Sequence, residues 1–324
     1  MNAAVDSPAQ ISYASLVSLF VDVDLAQLRT LVAVVDEGTM DAAARRLHVT
    51  PSAVSQRLRA LEVATGRVLV QRGRPATVTA AGEPVLRLAR QVGLLVADTS
   101  RHLDPAEPGR APVVPIAVNA DSLATWALPA LAPLADDLRF DLHSSDQTHT
   151  SALLRAGTVM GAVTSDAEPV AGCRVTALGR MRYLPCAAPR FARRWFPHGP
   201  DAAALQRAPV VVFDRRDDLQ HAYLRRHLST TADVPMHYVP SSADFLSAVT
   251  LGFGWGMLPE LQLTEGRPPE AAEPPAVAPF DPAGAVDVPL YWQQWRLESE
   301  PLDHVADALL HAAHARLRAI TPSP

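Results

Sequence analysis

The chain has 324 residues, 48% of them hydrophobic, and a formal charge of −5 from 29 basic and 34 acidic side chains. That content supplies cores for two or three compact units and excludes a chain disordered throughout. The sequence holds no apolar run of about 18 residues, and its first ten residues lack the basic-then-apolar layout of a secretion signal, so a cytoplasmic protein with no membrane contact is expected.

Residues 1–22 include an apolar stretch, 11–20, with no obvious partner. From residue 23 the pattern sharpens. Leu28, Val32 and Val35 mark a first amphipathic helix that Gly38 ends, and Asp41 is expected to cap a short second helix over 42–47. Thr50 suits an N-cap and Pro51 the first helical position of a third helix. In that helix Val54, Leu58 and Leu61 recur at core spacing, and Ser52, Ser55, Gln56 and Arg59 recur on the opposite face. Short hydroxyl, amide and guanidinium donors on one exposed face suit base edges in a major groove. Two short strands, 68–70 and 76–78, flank a basic tip containing Arg72, Gly73, Arg74 and Pro75, the layout of a wing whose arginines meet phosphate. Residues 24–78 hold eight Arg against five Asp and Glu, a local balance of +3 against −5 for the whole chain. A basic module on an acidic body fits phosphate contact without indiscriminate binding. The candidate DNA-contacting residues are therefore Pro51, Ser52, Ser55, Gln56, Arg59, Arg72 and Arg74.

Asp41-Ala42-Ala43-Ala44-Arg45-Arg46-Leu47, the run Thr50-Pro51-Ser52-Ala53-Val54-Ser55-Gln56-Arg57-Leu58 and the later Thr77-Val78-Thr79-Ala80-Ala81-Gly82 carry a specific match. Through them the chain resembles the LysR-type transcriptional regulators. Asn119-Ala120-Asp121-Ser122, Met181-Arg182-Tyr183-Leu184-Pro185, Gly254-Trp255-Gly256-Met257-Leu258-Pro259-Glu260 and Pro289-Leu290-Tyr291-Trp292-Gln293 look like the ArgP/LysG subgroup, which controls export of basic amino acids. The resemblance starts near Val21, so translation of the native protein is expected to begin there, and N-terminal sequencing that found Met1 or Asn2 would refute this.

Thr79 can cap a long helix running toward His102, in which Ala81, Val85, Leu88, Val92 and Leu95 alternate steps of four and three, as a coiled-coil seam does. Pairing of this linker helix with a second subunit would place two recognition helices on a twofold axis, and the DNA target is then expected to be roughly palindromic. The Pro-rich 104–112 reads as a hinge. Beyond it, apolar runs at 113–118, 140–143, 161–164 and 210–213 alternate with helix candidates such as 123–134 and 151–156, which argues for α/β units. The resemblance implies a two-lobed effector domain of periplasmic-binding-protein type, lobe I from 113–184 and 288–320 and lobe II from 185–287, with crossings near 182–187 and 287–291. The Pro-rich 267–282 is expected as a surface loop.

Asn119, Asp121 and Ser122 follow the first strand of this region and open a helix, where free N–H groups and a hydroxyl suit a carboxylate. A basic side chain held nearby needs a counter-charge. Asp146, after the second strand, is the first candidate, with Gln147, Thr148 and His149 adding polar groups. Asp214, Asp217, Asp218 and Asp244 are further acidic candidates, although a run such as 215–218 is more often a solvated salt-bridge face. Trp126, Trp255, Trp292 and Trp295 suit either the cleft or the core. The glycines at 252, 254 and 256 lack dinucleotide spacing and are read as a tight strand-to-helix turn. Cys173 and Cys186 have no metal-type or CxxC spacing and are expected as isolated core thiols.

Together these readings describe a DNA-binding regulator, an α/β protein with a winged helix-turn-helix at 23–79, a linker helix at 80–103 and a two-lobed effector domain. The resemblance implies a homodimer or tetramer that engages promoter DNA and RNA polymerase. It also implies lysine or arginine as effector, activation of an exporter gene and no cofactor. The rivals are a regulator of the same family with another effector, an α/β enzyme with a DNA-binding appendage and an architectural DNA-binding protein. No nucleophile elbow, P-loop, HExxH or clustered metal ligands support the enzyme, and a large sensor-like region argues against the architectural reading.

Overall fold

The computed structural model describes residues 23–71, 73–103, 111–145, 150–229, 234–264 and 275–320. The expectations for residues 1–22, Arg72, most of the hinge, and Asp146 with its neighbours 147–149 lie outside the described residues. The described chain divides into two compact units.

The N-terminal unit opens with α1 (Leu25–Glu37), where Asp24 and Gln27 form a reciprocal capping box and Gly38 at φ 69° closes the C-terminus. Next comes α2 (Met40–Arg46), and here one expectation is corrected. Thr39, not Asp41, is the cap: its backbone is extended and its hydroxyl accepts from Ala42 N at 3.2 Å, while Asp41 lies in the first turn. Gly38 in the left-handed region leaves one extended residue before the helix, and Thr39 occupies it. Then α3 (Pro51–Thr65) starts as expected, with Thr50 Oγ1 accepting from Ala53 N at 3.2 Å and Pro51 in the first turn.

The wing strands β1 (Val70–Gln71) and β2 (Thr77–Val78) pair antiparallel over two residues, shorter than the expected runs. Hydrogen bonds from side chains and backbone do the rest of the anchoring. Glu62 of α3 accepts from Leu69 N at 3.0 Å, Thr79 donates to Val68 O at 2.7 Å, and Ala76 N donates to Gly38 O at 2.7 Å. The linker helix α4 (Gly82–Leu103) begins where Thr79 accepts from Gly82 N at 3.0 Å. Its Leu86 and Ala89 join Leu28, Leu31, Val34, Val54, Leu58 and Leu61 in one core. Of the expected seam, Val85 and Val92 pack beside that core and Leu88 is half-buried, whereas Leu95 stays exposed. Asp36 ties the unit together, pairing with Arg46 of α2 at 3.2 Å and with Arg90 of α4 at 2.5 Å.

The C-terminal unit alternates strands and helices. In its first half β3 (Val113–Asn119) leads into α5, a helical run of Ala120–Ser122, a π turn at Leu123–Ala127 and Leu128–Leu131. There follow β4 (Arg139–Ser145), α6 (Thr150–Arg155) and β5 (Gly161–Thr164), with β3 parallel to both strands. The fifteen-residue β6 (Cys173–Ala187) then crosses into a second half. That half holds α7 (Pro189–Trp195), α8 (Ala202–Arg207), β7 (Val210–Val212), α9 (Leu219–His227), β8 (Met236–Tyr238) and α10 (Ser242–Thr250). It continues through β9 (Gly256–Pro259), α11 (Glu260–Thr264) and β10 (Ala278–Pro279). Return is by β11 (Val286–Trp295), followed by α12 (Glu300–Arg316).

Among the described residues β10, β6, β11, β5, β3 and β4 form one sheet in that order, with β9 also on β6. β6 and β11 pair antiparallel from Val286 with Tyr183 to Trp295 with Cys173, so each long strand serves both halves. At one end β11 also meets β5; at the other, β6 meets β9. β7 and β8 pair in parallel and touch this system through the bridge from Val210 to Trp255. Leu184, Cys186, Val211, Phe245, Val249 and Leu258 make the core of the second half.

Two sequence readings need correction here. The glycines at 252, 254 and 256 turn a helix into a strand, α10 into β9, not the reverse: Gly252 at φ 78° follows the helix end, and a side chain at Gly254 would strike the Pro209 carbonyl. The 267–282 stretch is not wholly loop either, because Ala278 and Pro279 pair with Ala187 and Cys186. Cys173 and Cys186 are both buried and not joined in a disulfide, and burial pushes the Cys186 thiol up to about 12, so it is an unreactive core group.

Candidate functional site

Two places gather the side chains that chemistry singles out. The first is the outer face of α3. Val54, Leu58 and Leu61 are at most 1% exposed, which turns Ser52, Gln56 and Arg59 outward, with Pro51 at the exposed start and Ser55 half-buried. Ser52 Oγ lies 2.9 Å from Thr50 Oγ1, so that hydroxyl also serves the cap. Gln56 and Arg59 have no such structural duty among the described contacts. Arg74 is exposed at the wing tip. Replacing it by alanine is expected to weaken DNA binding by a similar factor on every sequence and to lower the salt slope by about one ion, readable by titration at several salt concentrations.

The second place is a cavity of about 220 Å³ in the C-terminal unit. One wall comes from the end of β3 and the start of α5, with Asn119 and Asp121; the facing wall comes from the loop after β7, with Arg216, Asp217 and Asp218, and from Phe245 and Pro259. Asn119, in the lining, and Ser122, just outside it, are buried at 1% and 0% exposure, and among the described residues neither the Asn119 amide nor the Ser122 hydroxyl has a hydrogen-bond partner. Buried polar atoms without partners are uncommon and costly, and beside a cavity they point to a ligand.

Asp121 is half-buried and tied down on both oxygens. Tyr183 of β6 donates to Oδ2 at 2.9 Å and Ser242, the first residue of α10, donates to Oδ1 at 2.8 Å. Burial pushes its carboxyl above the ordinary value, against the lowering pull of those two hydrogen bonds. Asp217 works as a loop organiser, accepting from Phe213 N at 3.2 Å and Leu219 N at 3.1 Å; in its donating orientation the Gln220 amide reaches Oδ2 at 2.8 Å. Asp214 accepts from Arg216 N at 2.7 Å and Asp217 N at 3.1 Å. Asp218 pairs with Arg225 at 2.6 Å, and that hydrogen bond holds its carboxyl below the usual range.

The remaining sequence candidates stand elsewhere. Asp244 is exposed in the first turn of α10, outside the cavity lining, and its N–H donates to Ser241 Oγ at 3.5 Å. Trp126, Trp255 and Trp292 are at most 2% exposed and Trp295 6%, all within cores. Sequence reasoning did not single out Ser242, Gln262 or Arg216. Tyr183, Met257, Leu258 and Pro259 fell within segments flagged only by resemblance.

Among the described residues no helix is long and apolar enough to cross a membrane, and no group of His, Cys, Asp and Glu is placed to hold a metal ion.

A winged helix-turn-helix with a polar reading face, followed by a domain of two half-sheets with a largely apolar cavity carrying a few polar groups, is the architecture of a ligand-responsive DNA-binding protein. Residues 25–83 match the bacterial regulatory helix-turn-helix protein of the lysR family, and residues 109–314 match the LysR substrate binding domain. The chain belongs to the LysR family of transcriptional regulators. It is 44% identical over 295 residues to the lysine export transcriptional regulatory protein LysG of Corynebacterium efficiens, covering 90% of this chain and 98% of the relative. The crystal structure of ArgP from Mycobacterium tuberculosis is similar at 41% identity and a TM-score of 0.78, over 91% of this chain and 98% of that one. Full-length LysG from Corynebacterium glutamicum with bound effector Arg is similar at 39% identity and a TM-score of 0.70, over 91% and 99%.

Proposed function

We propose that this chain is a cytoplasmic transcription regulator, not an enzyme, that senses a basic amino acid in the Asn119–Asp121 cavity and activates a gene for amino-acid export. The single observation that carries the reading is that cavity: the buried Asn119 amide, unpartnered among the described residues, beside the carboxylates Asp121, Asp217 and Asp218. The carboxylates suit a cationic side chain, and the Asn119 and Ser122 groups suit the amino-acid end. Relatives named for lysine export, and a related structure holding arginine, support the choice of ligand. Asp146, outside the described residues, remains a second counter-charge in this proposal.

The linker helix α4 supports assembly as a homodimer or tetramer, since Leu95 leaves an apolar position of the seam uncovered at 38% exposure. Two reading faces then meet a roughly palindromic promoter, and RNA polymerase is the partner that activation requires. The ligand acts by binding one arrangement better than another, a coupling typically about 1–3 kcal/mol.

Calorimetry with arginine, lysine and histidine tests the reading. Binding is expected, with protons released on the way. Because burial raises the Asp121 carboxyl and a cation binds its ionised form, affinity should climb as pH rises from the ordinary carboxylate range through the raised value, then level off. Asp121→Asn should remove most of the affinity and this pH dependence together. Failure of all three amino acids to bind would sink the proposal.

A further inference from the structure

Three polar side chains form a donor chain from one half of the C-terminal unit to the other. Asp121 opens α5 beside β3, whereas Ser242 and Gln262 stand on α10 and α11 in the second half. Gln262 Nε2 donates to Ser242 Oγ at 2.9 Å, and Ser242 Oγ donates onward to Asp121 Oδ1 at 2.8 Å. Tyr183, on the strand shared by both halves, takes Oδ2 at 2.9 Å. Each oxygen of this cavity carboxylate thus holds a neutral donor, and among the described residues no cation forms an ion pair with it.

We propose that Ser242, held in position by Gln262, is a gate that competes with the ligand for Asp121: it holds one carboxylate oxygen until a cationic donor displaces it. This rests on the reading that the cavity takes a basic amino acid. Exchanging one neutral donor for another gains nothing. A guanidinium or ammonium on a carboxylate makes a bond roughly twice as strong as a neutral one, and that surplus drives the exchange. The displaced Ser242–Asp121 bond also joins the two halves, so recognising the charge and releasing the halves from each other are one event.

Arginine and citrulline separate the possibilities, because citrulline keeps the length and shape of arginine but carries a neutral ureido group. Calorimetry on the full chain should show arginine favoured in the wild type. In Ser242→Ala the Asp121 oxygen is vacant, and the affinities for arginine and for citrulline should both rise about fivefold, the worth of one hydrogen bond, with their ratio unchanged. Gln262→Ala, which leaves Asp121 untouched, should raise both affinities by less, and Ser242→Thr should return them to the wild-type values. Gln262→Ala also serves if Ser242→Ala does not fold. An arginine affinity that stays the same or falls in these variants overturns the gate and leaves the basic-amino-acid reading standing. No arginine or lysine binding by the wild type overturns that reading, and the gate with it.

Discussion

Leu58→Ala is expected to remove about 2–5 kcal/mol from the N-terminal unit, the usual range for truncating a buried leucine, with much of its DNA binding. Leu58 is 1% exposed and packs in one cluster with Leu31, Val34, Val54 and Leu61, so the lost methyl groups leave a void in that core. A domain of this size has about 5–15 kcal/mol in hand, which makes the loss large enough to populate unfolded chains at growth temperature. Gln56→Ala, two residues earlier on the opposite face, is the matched control. It should leave the unfolding midpoint almost unmoved, since exposed substitutions usually fall within about 0.5 kcal/mol, and lower discrimination at one base pair by about 1–3 kcal/mol. Gln56 is a cleaner probe than Ser52, whose hydroxyl also meets Thr50 at 2.9 Å. Denaturant unfolding beside footprint titration reads both effects. A destabilised Gln56→Ala with a stable Leu58→Ala would reverse the assignment of the two faces.

The reading face was legible because it depends on local rules. Thr50, Pro51 and the spacing of Val54, Leu58 and Leu61 define a helix start and its inner side within a dozen residues, and nothing distant overrides them. The cap of α2 was not, because Thr39 and Asp41 are both acceptable N-caps and only the left-handed backbone at Gly38 decides between them. Chain order likewise could not show that the 252–256 glycines leave a helix rather than a strand. That depends on α10 ending at Thr250 and β9 pairing with β6.

The cavity divides along the same line. Asn119, Asp121 and Ser122 were visible as a polar cluster where a strand becomes a helix, a local signal. Ser242 is 121 positions from Asp121 in the chain, and their hydrogen bond exists because β6, β9 and α10 bring the second half of the unit onto the first. Asp217 shows the opposite case: its charge suggested a ligand, but its oxygens also hold the backbone of their own loop, a duty the sequence does not display. Counting carboxylates therefore overstates the charge available to a guest, and hydrogen-bond saturation decides which ones are free to change partner.

The junction of wing and linker yields the other large effect, at Gly82. The start of α4 lies so close to the wing that a Cβ built on Gly82 would stand 2.2 Å from the Leu69 carbonyl oxygen and 2.8 Å from Val78 Cγ2. The first of these is backbone, held by Thr79 N at 2.9 Å, so it cannot swing aside as a long side chain would. Gly82→Ala should therefore cost about 3 kcal/mol, the upper end for overpacking, even though alanine favours helix by about 1 kcal/mol over glycine. Gly93, further along the same helix, has nothing within 4 Å of its Cβ position, and Gly93→Ala should stabilise by up to about 1 kcal/mol. The two substitutions are chemically identical and opposite in sign. Because the strain at Gly82 falls on the two strands that carry the wing tip, Gly82→Ala should also weaken DNA binding while Gly93→Ala leaves it intact. Thermal unfolding and salt-dependent titration of both variants read the contrast, and a stabilised Gly82→Ala would mean that α4 does not approach the wing this closely.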